Sequence, residues 1–180
     1  SYQAKTFIDA TGDGDLAALC HVGFDKGRPS DGYTQPMSMI FKVGGIDFGK
    51  VISYMRQNPE QFILHKDYKQ LDRYLAVSGF FDIVRLAKAC GDFNIPRDRI
   101  LFFQGLHPGE AFINTSRIIK LSGLSSHDQT IAETEAARQV EELLTFFRKY
   151  LPGFESSYLA AIADVTGVRE SRRIHGRYTL

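Results

Sequence analysis

The amphipathic stretch over residues 128–150 constrains the fold more than any other feature of this chain. Ala136, Val140, Leu143, Leu144, Phe147 and Leu151 recur at steps of three and four, which places them on one stripe of a helix. Asp128 can cap its start, and Pro152-Gly153 breaks it. A helix this long must lay its stripe on a broad apolar surface, and the rest of the chain supplies strands to make one. Met37, Met39, Phe41 and Val43 alternate with Ser38, Ile40 and Lys42, the period of a strand with one buried face, and Gly44-Gly45 ends it. Residues 99–104 and 110–121 read as two more strands around the turn at 105–109. In the second, Ala111, Ile113 and Thr115 point one way, and Phe112, Asn114 and Ser116 the other. Residues 168–180 read as extended, and residues 4–10 as a strand at the edge of a larger sheet. The expected fold is α+β, a mostly antiparallel sheet with helices packed on one face.

Shorter helices fill the intervals. Asp47 can cap one with Phe48, Val51, Ile52 and Met55 on its stripe, stopped at Asn58-Pro59. A weaker pattern over 61–75 puts Tyr68, Leu71 and Leu75 on one face. Ser78 can cap a helix with Phe80, Ile83, Val84 and Ala87 inward and Gly91 at its end. Ser156 or Ser157 can cap another that runs to Val165.

The 180 residues suit one domain, or a domain and a fragment. A formal net charge of +1 provides no field to recruit nucleic acid or an anionic membrane, and no apolar run is long enough to span a bilayer. No basic-then-apolar leader opens the chain, so a cytoplasmic location is expected; the start at Ser1 without a Met suggests a piece of something longer. Cys20 and Cys90 lie far apart in apolar helical surroundings and read as buried free thiols. The five histidines show no metal-ligand spacing.

The function turns on Phe7-Ile8-Asp9-Ala10-Thr11-Gly12-Asp13-Gly14-Asp15-Leu16-Ala17. A short apolar run enters a glycine turn, and a small helix from Leu16 to about Cys20 leaves it. Such turns bring backbone close to phosphate or ribose. Three readings compete. Gly12-x-Gly14-x-x-Ala17 fits the dinucleotide fingerprint, but no second strand ending in an acid follows, and Asp13 and Asp15 would set negative charge beside a pyrophosphate. A calcium loop starting at Asp9 would need Glu where Cys20 stands. A plain tight turn, shaped by Asp9 and Asp13 accepting from neighbouring amides, needs no ligand.

Residues 8–17 resemble the internal Ala-Thr-Gly segment of FAD-dependent oxidoreductases of the glutathione-reductase-like superfamily. In that group the same order of features follows: a Gln-Pro strand, here residues 35–41; an Asn-x-x-Arg strand, here 114–117; a Glu- and Ala-rich helix, here 133–150; a Pro-Gly-Phe, here 152–154; and Gly-Val-Arg-Glu-Ser-Arg-Arg, here 167–173. The resemblance implies that residues 1–30 are a fragment of an FAD-binding domain and residues 31–180 a substrate or cap domain, with the seam in the polar connection 23–34. It implies FAD as cofactor, Thr11, Gly12 and Asp13 as cofactor-binding residues, and Asn114, Arg117, Arg169 and Arg173 as substrate-binding residues. It leaves the catalytic residue unknown. The first glycine fingerprint and the segment that closes on the ribityl chain are not in these residues, so the chain alone is expected to hold FAD weakly or not at all, and to be inactive alone.

Arg169, Arg172, Arg173 and Arg177, with His175, crowd one extended segment. On a strand, Arg169, Arg173, His175 and Arg177 share a face, with Arg172 opposite. This is either an exposed basic edge, which discourages edge pairing, or an anion site using guanidinium forks. The implied partner is a small, possibly anionic substrate, with neither nucleic acid nor membrane. The alternative is a non-catalytic α+β binding module that takes an anionic ligand or protein partner on the arginine strand.

Overall fold

The computed structural model describes residues 2–63 and 75–178. Among them a five-stranded antiparallel sheet, ordered β3-β4-β5-β2-β6, forms the frame. Its strands are β2 (Phe41–Gly44), β3 (Ala76–Gly79), β4 (Ile100–Gln104), β5 (Ala111–Ile113) and β6 (Tyr158–Ile162). A separate two-stranded antiparallel sheet pairs β1 (Phe24–Lys26) with β7 (Arg172–Ile174), in the register Asp25 to Arg173. The helices are α1 (Asp15–Leu19), α2 (Phe48–Gln57), α3 (Phe81–Ala89) and α4 (Ser126–Tyr150). The fold class is α+β, as the hydrophobic periodicities predict.

The alternation over 37–43 survives in detail: Met37, Met39, Phe41 and Val43 are buried and Ile40 is exposed. Phe41 stacks on Phe147 of α4 at 6.4 Å, and Phe102 and Phe147 both meet Phe154 just beyond the helix, at 5.5 and 5.2 Å. These rings join the stripe of α4 to one face of the sheet. The opposite face keeps Phe103 and Phe112 partly exposed. α2 begins where Asp47 accepts from the Lys50 amide at 3.1 Å, the expected cap.

Several expectations are corrected. Residues 4–10 form no strand; they are exposed and no described strand pairs with them. α4 starts earlier than expected, with Ser125 capping the Asp128 amide at 3.2 Å, while Asp128 turns back to accept from the Ser122 amide at 2.9 Å. Ser78 does not cap a helix. It lies in β3 opposite Leu101, and α3 starts after Phe80, which takes φ 64° with its ring fully buried. The expected helix from Ser156 or Ser157 to Val165 is instead β6, because pairing with the free edge of β2 supplies the backbone partners that a short helix would have made internally. Residues 168–180 do not extend the main sheet: β7 joins β1, and only Gly167 bridges across to Ser38. Ser116 is buried with Thr115 rather than facing away, since its hydroxyl both accepts from the Met39 amide at 2.8 Å and donates to the Met39 carbonyl at 2.9 Å. Cys20 and Cys90 are free but exposed, each at a helix C-terminus. The expected helix over 61–75 falls mainly on residues 64–74, outside the described residues.

Candidate functional site

Asp9 organises the glycine turn. Its Oδ1 accepts from the Thr11 amide at 3.0 Å and from the Thr11 hydroxyl at 2.7 Å, and its Oδ2 accepts from the Ala17 amide at 2.8 Å. The Thr11 hydroxyl oxygen in turn accepts from the Asp15 amide at 2.8 Å. The Thr11 amide first, then that of Ala17, holds the Asp9 carboxyl below its ordinary value. The chain between these anchors turns through left-handed glycines, Gly12 at φ 81° and Gly14 at φ 67°. A β-carbon on Gly12 would meet no atom within 4 Å. That face of the loop is open.

The turn is tied to the far end of the chain. Arg172 on β7 donates to the Asp13 carbonyl at 2.9 Å and pairs with Asp15 at 2.6 Å. The Ile174 side chain lies where a β-carbon on Gly14 would fall. Arg172 thus offsets one of the aspartates that weigh against phosphate at this turn.

A second region lies where three segments meet. Met37 bridges antiparallel to Ile118, and Ser38 to Gly167, so the segment before β2 runs between Arg117 on one side and Arg169 on the other. A cleft of about 410 Å³ opens here, lined by Arg28, Tyr33, Gln35, Pro96, Arg117 and Lys120 among others. Arg97, next to Pro96, donates from Nε to the Thr115 carbonyl at 3.2 Å and from a terminal nitrogen to the Asn114 carbonyl at 3.3 Å. Burial chiefly, then repulsion from Arg117, Arg99 and Arg169, lowers its pKa. Gln139 of α4, 1% exposed, brackets Arg117: it accepts from the Arg117 amide at 2.7 Å and donates to the Arg117 carbonyl at 3.1 Å.

The structure puts Arg117 in the lining of the cleft and leaves Asn114 and the exposed Arg169 outside that lining, on segments flanking the one before β2, while the turn holding Thr11, Gly12 and Asp13 is tied to β7 through Arg172. Asn114 enters through its main-chain carbonyl. Arg173 is engaged with Glu170 and with the Gly27 carbonyl, the latter at 2.8 Å. The proposed same-side set of Arg169 and Arg173 is thus split between an open guanidinium and a paired one. Arg97 was missed by sequence reasoning, because its partners are carbonyls far along the chain.

The family model for FAD dependent oxidoreductases matches residues 1–180, and the chain belongs to that family. Neither the curated proteins nor the solved structures contain a match. The open, left-handed Gly12 and its braced neighbours fit the backbone approach that FAD requires. Among the described residues no helix is long and apolar enough to cross a membrane.

Proposed function

We propose that the chain is the substrate-side portion of an enzyme that oxidises or reduces a small organic molecule by hydride transfer through FAD. On this reading, residues 1–30 are a strip of the FAD domain and residues 31–180 the substrate domain. Thr11, Gly12 and Asp13 meet the cofactor nucleotide, and Asn114, Arg117, Arg169 and Arg173 lie on the substrate side. FAD, when bound, supplies the hydride acceptor or donor. The chain's own residues bind, orient and neutralise charge.

The observation that carries this reading is the continuous path from the Gly12 turn through Arg172 and β7 to the arginine cleft. Glu170, four residues before Ile174, accepts from the Gln35 amide at 2.8 Å and so locks β7's approach to the cleft. Exposed apolar side chains support it further. Ile8 and Leu19 are 85% and 77% exposed, a surface that the remainder of an FAD domain would cover.

The test uses the intact enzyme. Gly12→Val puts a branched side chain on a left-handed residue in the open face and is expected to release the flavin. Arg117→Gln is expected to keep the flavin and lower turnover. Flavin content and steady-state rates read the two effects separately; loss of flavin from the Arg117 variant, or a Gly12 variant that keeps both flavin and rate, would sink the assignment. The arginine cleft also suits a non-catalytic module for an anionic ligand, and a colourless intact protein would favour that reading.

A further inference from the structure

The first turns of α4 and the segment 165–168 border another pocket, of about 250 Å³, that shares no lining residue with the 410 Å³ cleft. Met37 and Ala132 in its apolar lining are buried, while Val165 and Val168 are exposed and leave the pocket open to solvent. Its polar lining is Gln129, Glu133 and Thr166. The amide donors of this set are spent on the protein itself. The Gln129 side-chain nitrogen donates to the Gly123 carbonyl at 2.5 Å, and the Thr166 main-chain amide donates to Glu133 Oε1 at 2.6 Å. What remains can accept: Gln129 Oε1, Glu133 Oε2 and the Thr166 hydroxyl oxygen. That hydroxyl is buried with no hydrogen-bond partner among the described residues, and Thr166 as a whole is 8% exposed. A buried polar atom without a partner is rare in a folded protein and marks a place where something beyond the chain completes the set. No lysine or arginine is among the lining residues, so nothing in the pocket wall neutralises the Glu133 carboxylate.

We propose that this pocket binds a small primary ammonium group carried on a short aliphatic chain. A primary ammonium has N–H donors and no acceptor, the complement of a carboxylate oxygen, an amide oxygen and a hydroxyl. Its charge pairs with Glu133, and a charged donor on a carboxylate is the stronger kind of hydrogen bond. Met37, Ala132, Val165 and Val168 receive the carbon chain, and the volume suits a ligand smaller than a drug-sized molecule. The site uses none of the residues assigned to flavin or substrate, so it holds independently of that assignment.

The test is calorimetric titration of the intact protein with n-butylammonium chloride at constant ionic strength. Binding should saturate with a Kd of about 1 mM or below, within reach of a ligand this small. Tetramethylammonium carries the charge without an N–H donor and should bind about tenfold more weakly or worse. Glu133→Gln keeps the acceptor for the Thr166 amide while removing the charge, and should weaken butylammonium by about tenfold. Thr166→Val should weaken it by about threefold, the loss of a neutral hydrogen bond. That variant gives up no hydrogen bond in the free protein, so it keeps the test available should Glu133→Gln fold poorly. Glu141→Gln removes the same charge from an exposed position of α4 and should change nothing. Absence of saturation up to about 10 mM, equal binding of tetramethylammonium, wild-type binding in the Glu133 or Thr166 variant, or an equal loss in the Glu141 control would each overturn the site. The flavin content of the protein bears on none of these outcomes, so failure here leaves the oxidoreductase reading untouched.

Discussion

Asp9 carries a disproportionate share of the Gly12 turn, since one carboxylate satisfies two amides and a hydroxyl. Its folded pKa lies below the ordinary 3.8, so its contribution is fully present above that value and is lost as pH falls through the folded value. The Ala17 and Thr11 amide resonances should hold their positions down to pH 4 or so and move together below it; movement beginning near neutral pH would contradict the assignment. Gln139 plays the matching part at the cleft. Gln139→Leu strands the Arg117 amide and carbonyl and should cost about 1–3 kcal/mol in urea denaturation. Asp9 and Gly12 were legible in the sequence because their partners lie within a few residues. Arg97 was not, because its meaning depends on carbonyls 17 and 18 residues away.

The elements that followed the sequence are those whose burial pattern is dense. α4, α2 and the strand after Met37 each carry a continuous apolar stripe, and tertiary packing had nothing to override. β6 was read as a helix because Tyr158 to Ile162 carries no alternation, and all five residues are exposed; the edge of β2 decides its state. The junction between α4 and α2 is a sharp test of packing. Gly153 has φ 87°, accepts from the Asp47 amide at 2.8 Å, and leaves only 2.4 Å between a built β-carbon and the Asp47 carbonyl oxygen. Gly153→Ala should therefore cost about 2–4 kcal/mol in thermal or urea unfolding. Gly91→Ala has a similar φ of 78° but open space around it. It should cost only the left-handed penalty, about 1–2 kcal/mol. Equal losses at the two sites would show that the Gly153 contact is not tight.

At the scale of the whole molecule, the α+β class, the antiparallel sheet and the family were readable from periodicity and from the ordered set of short motifs. The small sheet was not. β1 lies inside the polar connection 23–34 expected to be the seam and β7 near the other end of the chain, and their pairing is a long-range event with no local signature. That sheet links the two candidate sites, because Arg172 reaches the Gly12 turn while Glu170 anchors the segment entering the cleft. Arg172→Ala should therefore loosen the turn and lower flavin retention about tenfold if it contributes one charge-assisted hydrogen bond, as read by equilibrium dialysis of the intact enzyme, while Arg85→Ala leaves retention unchanged. The most direct test of the central claim is the visible spectrum of the intact protein with and without Gly12→Val. Flavin bands in the wild type and their loss in the variant are the predicted result. A correctly folded wild type without flavin bands, or a variant that keeps them in full, would contradict it.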